Sequence, residues 1–201
     1  MRPTGSFSGV LAVAAMLAAL LAWPMASEAQ TVTGRAEAVQ ATVLGLLGGT
    51  TTVLADTGAL GGSSDALQAS ALTGSVPALL TGETLHATTI GWPDQVVSRA
   101  SLAALALSVA GTRIGADLIS ARARAVLGAA GSATSNIENL AINGVSIPVS
   151  GGPNQTVPIL GGLVVINEQQ TSPTSTVVNA LHVTVYGVAN VVIGSATAGI
   201  Y

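Results

Sequence analysis

The chain contains neither cysteine nor lysine, and aromatic residues make up only 2% of its 201 positions. Each absence removes a class of function. Without cysteine there is no disulfide scaffold, no thiolate metal site and no cysteine nucleophile. Without lysine there is no Walker-type phosphate loop, and neither Lys–Asn isopeptide bonds nor lysine-linked polymers can form. Charged residues account for 7% of the chain, against about one quarter in an average globular protein. A net charge of −3 excludes the dense cationic surface that nucleic acids require. Disorder is excluded as well, because 49% of the residues are hydrophobic and a disordered chain shows the reverse balance.

What is present begins with an export signal. Arg2 gives a positive start, Gly9 to Trp23 is an unbroken apolar run, and Pro24 ends it. Ser27 and Ala29 then place small residues at the −3 and −1 positions of a cleavage site, which predicts cutting between Ala29 and Gln30. A span would need about 20 apolar residues, so the run is too short for a membrane anchor. Residues 1–29 therefore read as a secretory signal peptide and 30–201 as one extracellular domain with no membrane span. Every Met, the one Phe and Trp23 lie in the leader, so the mature chain keeps Trp92, Tyr186 and Tyr201 as its aromatics. Its core must be Val, Ile, Leu and Ala, stabilised by packing and ladders rather than cross-links.

From Thr33 onward Thr and Val are frequent and turn signals recur, which is the all-β pattern. Ile114 to Leu127 sets Ile119, Ala121, Ala123, Ala125 and Leu127 on one face, with Ser120, Arg122 and Arg124 opposite. Thr176 to Tyr186 alternates in the same way, with Val177, Leu181, Val183 and Val185 on one side. Leu163–Gln169 and Asn190–Ala198 are further strands. Asn143-Gly144 suits a type I′ hairpin; Gly161-Gly162 and Ala110-Gly111 separate other pairs. Pro158 implies an edge strand, because proline cannot donate to a ladder. Val96 to Val109 fits either strand or helix, since Leu102, Leu105, Ala106 and Val109 would line a helical face; strand is favoured by its neighbours and by Gly111. Thr57 to Gly82 leaves room for a short helix around Asp65–Leu72. The expectation is a two-sheet antiparallel β-sandwich of roughly nine to eleven short strands, with a β-roll or solenoid-like fold or a barrel as alternatives. An outer-membrane barrel lacks the aromatic girdles it would need.

Several segments in order resemble a known family. They are Gly34-Arg35-Ala36-Glu37-Ala38-Val39, Ile137-Glu138-Asn139-Leu140-Ala141-Ile142-Asn143-Gly144 and Pro153-Asn154-Gln155-Thr156-Val157. Val165-Ile166-Asn167-Glu168-Gln169, Val178-Asn179-Ala180-Leu181-His182-Val183 and Val191-Val192-Ile193-Gly194 complete the series. This order resembles the choice-of-anchor P family of bacterial surface proteins, across essentially the whole mature chain. The resemblance implies an extracellular domain held at the cell by varied C-terminal devices, and no catalytic residues. The segment Ala198-Gly199-Ile200-Tyr201 carries no sortase-type motif, hydrophobic tail or basic stop, so release or non-covalent retention is expected.

No catalytic constellation emerges. His86 and His182 fall on polar faces of predicted strands, and Glu83, three residues from His86, should lie on the opposite face, which argues against zinc. No G-x-S-x-G elbow is present, although Ser, His182 and an acid such as Asp117 could assemble a triad in space. Eight scattered acids in the mature chain and one mature Trp give no glycosidase signal. Asn167-Glu168-Gln169 with Asn154-Gln155 could bind a polar ligand or calcium; the favoured reading is that these side chains tie down the loop after Gln169. Trp92-Pro93-Asp94 reads as a turn carrying a packed aromatic, or less readily as an exposed contact. The expectation is a non-enzymatic secreted or surface-associated domain with a structural, adhesive or self-associating role. Its partner would be a cell-wall or extracellular-matrix component or another copy, with no cofactor and no metal. A secreted hydrolase with an unrecognised Ser/His/acid site is the alternative.

Overall fold

The computed structural model describes residues 30–45 and 48–201. The expected signal peptide and its expected cleavage after Ala29 fall outside the described residues, of which Gln30 is the first. The described residues form thirteen strands: β1 Val32–Gly45, β2 Gly48–Asp56, β3 Ala66–Val76, β4 Leu80–Gly91, β5 Gln95–Val109, β6 Thr112–Val126 and β7 Ala129–Glu138, then β8 Ala141–Ile142, β9 Val145–Ser146, β10 Gln155–Ile159, β11 Gly162–Thr171, β12 Ser175–Val185 and β13 Ala189–Ile200. All pair antiparallel in two sheets. One has the order β10-β11-β12-β13-β1-β2; the other runs β3-β4-β5-β6 and continues into β8-β9, with β7 also paired to β6. The sheets do not close into a barrel. They stack as a β-sandwich, with β13 over β5 and β6 and with β1 over β4 and β5.

Most of the strands are long, though β8 and β9 have two residues each and β10 five. β5 and β6 each have 15 residues, about 50 Å at the usual strand rise. Residues 65–72, where a helix seemed open, form strand β3 from Ala66 onward, with Asp65 just before it. Val96–Val109 is strand throughout. Asn143-Gly144 and Ala110-Gly111 both carry positive φ at their two central residues, the geometry of a type I′ turn. Pro158 sits on β10, an edge. At β10–β11 the turn is Leu160-Gly161, with Gly162 already in the strand, and Leu127 is exposed in the turn after β6 rather than on its inner face.

Long strands bury both ends only because they change phase. In β5 the inward residues are Val96, Ser98, Ala100 and Leu102, then Leu105, Leu107 and Val109. In β6 they are Thr112, Ile114 and Ala116, then Ile119, Ala121, Ala123 and Ala125. β12 switches between Ala180 and Leu181, so Thr176 and Val178 face inward and Val177 faces out, against the simple alternation. Positive φ marks the reversal of β5 at Ala104 and recurs at Ala55 in β2, Thr84 in β4, Asn167 in β11 and Gly194 in β13. Together the reversals form a line across the strands, and the six-stranded sheet keeps its register across that line: Ala38 lies opposite both Ala55 and Gly194 with one residue on each strand between flanking pairs. Every described buried hydrophobic residue is Val, Leu, Ile or Ala.

The line divides the core by size. Beyond it, Gly34, Ala36, Ala87, Thr89, Ser98, Ala100, Ala196 and Ala198 face inward. A Cβ on Gly34 would meet Thr89 Oγ1 at 2.5 Å and Leu60 Cδ1 at 2.6 Å, so the sheets approach too closely there for any side chain. Ser98 Oγ, bonded to Thr89 Oγ1 at 2.7 Å, donates across the sandwich to the Thr197 carbonyl at 2.6 Å.

An alanine held in the left-handed region costs roughly 1 kcal/mol relative to its usual conformation. Replacing Ala104 (φ 49°) by glycine should therefore stabilise the protein by about 0.5–1 kcal/mol, whereas Ala103→Gly should destabilise it by a similar amount. Urea unfolding of the two variants checks this, and destabilisation by both would contradict the reversal at Ala104.

Candidate functional site

The polar side chains collect in four places, three on the six-stranded sheet and one on the seven-stranded sheet. On the six-stranded sheet, β11, β12 and β13 bring Glu168, Asn179, His182, Thr184 and Asn190 together. Glu168 Oε2 lies 2.9 Å from His182 Nδ1 and accepts the Asn179 amide at 2.7 Å. His182 Nε2 lies 3.0 Å from Asn190 Oδ1 and 3.4 Å from Thr184 Oγ1. The acid beside His182 is thus Glu168. Asp117, the acid considered from sequence, instead accepts from Asn139 at 2.6 Å.

An acid and a histidine in contact are two parts of a triad, but the third part fails. Thr184 is the hydroxyl nearest the ring, beyond the 2.6–3.2 Å of an engaged nucleophile and base. The ring nitrogen a nucleophile would need already faces Asn190. β12 pairs with β11 and β13 along both sides, so its backbone N–H groups are committed to ladders and are not free to form an oxyanion hole. The arrangement closes a hydrogen-bond network on the sheet surface.

Asn167, Gln169, Asn154 and Gln155 do tie down a loop, as expected, but a different one. Asn167 Nδ2 donates to the Gly151 and Gly152 carbonyls at 3.2 and 3.1 Å. Gln155 Nε2 donates to Pro148 O at 2.8 Å and its Oε1 accepts from Ser150 N at 2.7 Å. Asn154 Oδ1 accepts from Gln169 N at 2.9 Å. The segment restrained is 148–154, which carries the chain back to β10, rather than the loop following Gln169.

On β1 and β2, Arg35 forms a two-pronged pair with Asp56 (3.0 and 2.8 Å) and lies 2.6 Å from Glu37. Hydrogen bonding from Arg35 holds the Asp56 carboxyl below the usual aspartate range, with help from the Gly58 amide. Glu37 faces the opposite balance. The phase reversal at Ala38 leaves it 7% exposed, and burial pushes its carboxyl up, with Arg35 opposing and Asp56 adding to the rise.

The fourth place is the outer face of the seven-stranded sheet. Thr88, Arg99, Arg122 and Thr134 form one row across β4, β5, β6 and β7, and His86, Ser101, Ser120 and Asn136 form the next. They line an open depression of about 640 Å³. A second depression of about 440 Å³ shares Thr88, Arg99 and Arg122 and extends to Arg124 and Trp92. Arg124 donates to Gln95 Oε1 at 3.2 and 3.0 Å. Trp92 is 38% exposed, so the turn packs part of its aromatic and leaves part open. The reversal at Thr84 also places Glu83 on the outer face with His86, contrary to simple alternation. Even so, no group of three or more His, Cys, Asp or Glu suited to a metal occurs among the described residues.

No family model, curated protein or solved structure matches this chain.

Glu37→Gln should stabilise the protein near neutral pH by about 1 kcal/mol, because it removes a desolvated charge while Arg35 keeps Asp56. A raised carboxyl favours folding while it is protonated and loses that contribution as pH rises through its folded value. The advantage of Gln should therefore shrink as pH falls toward the ordinary glutamate range. Asp56→Asn should do the reverse, costing roughly 1 kcal/mol near neutrality, with the loss vanishing once the wild-type carboxyl is itself protonated in acid. Unfolding midpoints followed across pH check both signs.

Proposed function

We propose that this chain is a secreted or surface-associated domain with a structural or adhesive role and no catalysis of its own. The observation that carries the reading is the state of the sheet edges. β3 ends its sheet with eleven residues, Ala66 to Val76, that include no charge and no proline. β7 is ten residues long with Glu138 as its one charge. Edge strands ordinarily carry lysine, proline or inward charges that prevent edge-to-edge pairing. On β10 Pro158 is such a device; β3 and β7 carry none among the described residues. With few charges to repel another copy, these edges suit addition of a further strand. The leader-like segment at 1–29 and the resemblance to the choice-of-anchor P family support an extracellular setting. They also support retention by contact with wall or matrix.

A hydrolase centred on His182 is the second reading, favoured by the 2.9 Å contact with Glu168. The committed ladders and the distant Thr184 hydroxyl weigh against it. A broad screen of ester, peptide and glycoside substrates is expected to stay silent; turnover abolished by His182→Ala would reverse the choice.

Light scattering and cell-wall fractionation test the structural reading. The protein is expected to self-associate or to sediment with wall material. Ser70→Lys together with Ala130→Lys should weaken self-association without lowering the melting temperature. Monomers that bind neither wall, matrix nor one another would sink the reading.

A further inference from the structure

We propose that the outer face of the seven-stranded sheet is a binding groove for an acidic polysaccharide, with Arg99 and Arg122 as the groups that take its carboxylates. Arg99 and Arg122 are directly opposite on neighbouring central strands. Like charges in that position destabilise a sheet. Nothing in the fold offsets them: the ion pairs among the described residues involve Arg35 and His182 alone, and the cross-strand neighbours of the two arginines are Thr88 and Thr134. Both arginines are exposed and neither has a side-chain hydrogen-bond partner among the described residues.

The chemistry of the surroundings selects the ligand. Guanidinium presents two parallel donors that match a carboxylate. The adjoining row of Ser101, Ser120 and Asn136 supplies short donors and acceptors of the kind that meet sugar hydroxyls. Trp92, at the far end beside Arg124, offers a flat apolar face against which a pyranose ring can lie. The two depressions run into one another through Thr88, Arg99 and Arg122, so the groove is elongated and open, suited to a chain passing through rather than to a small molecule enclosed. A nucleic acid would need more cationic and stacking residues than an acidic chain with one mature tryptophan provides.

The test uses the full protein with polygalacturonate as probe, neutral dextran and inorganic phosphate as comparisons, and calorimetric or electrophoretic titration as the readout. Polygalacturonate should bind and dextran should not, with affinity falling as salt is raised. Phosphate should bind far more weakly than the polymer. Arg99→Thr and Arg122→Thr should each weaken polymer binding about tenfold or more, equivalent to about 1.4 kcal/mol, while Arg113→Thr, which removes the same charge outside the groove, should change it less than about twofold. Arg99→Thr should also hold or raise the melting temperature, because it removes a repulsion, so lost binding cannot be lost folding. Absence of polymer binding, equal loss in Arg113→Thr, binding of dextran as tight as that of the acidic polymer, or a lowered melting temperature in Arg99→Thr would each overturn the proposal. The groove is distinct from the sheet edges. Self-association should survive in the arginine variants and polymer binding in the edge variants, so either proposal can fail alone.

Discussion

A β-strand can bury alternate residues only while its pleat continues, and no long central strand here keeps one phase from end to end. The reversals fall along a transverse line through both sheets, at Ala38, Ala180 and Gly194 in one and at Thr84 and Ala104 in the other. On one side of that line the inward residues are chiefly Val, Leu and Ile, such as Leu107, Ile114, Val183 and Val191. On the other, Gly34, Ala36, Ser98, Ala123 and Ala196 take many of the inward positions, beside Val96, Leu102, Ile119 and Val178. A core of two thicknesses follows from this division. At the thin end the two sheets come close enough for Ser98 to hydrogen-bond the opposite backbone, and a polar residue replaces the apolar bulk that would otherwise hold them. The composition therefore suits the architecture: a sandwich this narrow has no space for buried aromatic rings, and the three among the described residues, Trp92, Tyr186 and Tyr201, lie at its surface.

The same line explains what the sequence displayed and what it concealed. Alternation within half a strand was plain, as with Ile119, Ala121, Ala123 and Ala125 against Arg122 and Arg124, and so were turns whose chemistry is specific, such as Asn143-Gly144. Sandwich and edge proline followed from these. Reversals were hidden because alanine or threonine occupies Ala55, Thr84 and Ala104, and neither residue type announces a positive φ as glycine would. The helical appearance of Val96–Val109 has this origin. Leu102, Leu105 and Val109 are spaced three and four apart because one strand phase ends at Leu102 and the next begins at Leu105. Extending one alternation through a reversal also misplaced Val177 and separated Glu83 from His86. The polar clusters were visible as residue types only. Glu168 reaches His182, and Arg99 meets Arg122, through register between strands, and a single sequence does not carry that register.

The two outer faces differ in how their charges are answered. On the six-stranded sheet Arg35 meets Asp56 and Glu37, and Glu168 meets His182 and Asn179. Each charge there is matched locally and its field falls off quickly. On the seven-stranded sheet Arg99 and Arg122 stand together among hydroxyls, which orient but do not neutralise. In a chain of ordinary composition such a pair would be diluted by neighbouring carboxylates; with 7% charged residues there are few to dilute it, and within a Debye length of about 8 Å the local potential is set by the arginines themselves. A protein acidic overall thus carries one cationic strip, and the scarcity of charge elsewhere is what makes that strip distinct. The cost of opposing like charges on central strands falls on the folded state whether or not a ligand is present. An anion lying across both guanidiniums would recover that cost, so the strain within the sheet and the affinity of its outer face are two expressions of one arrangement.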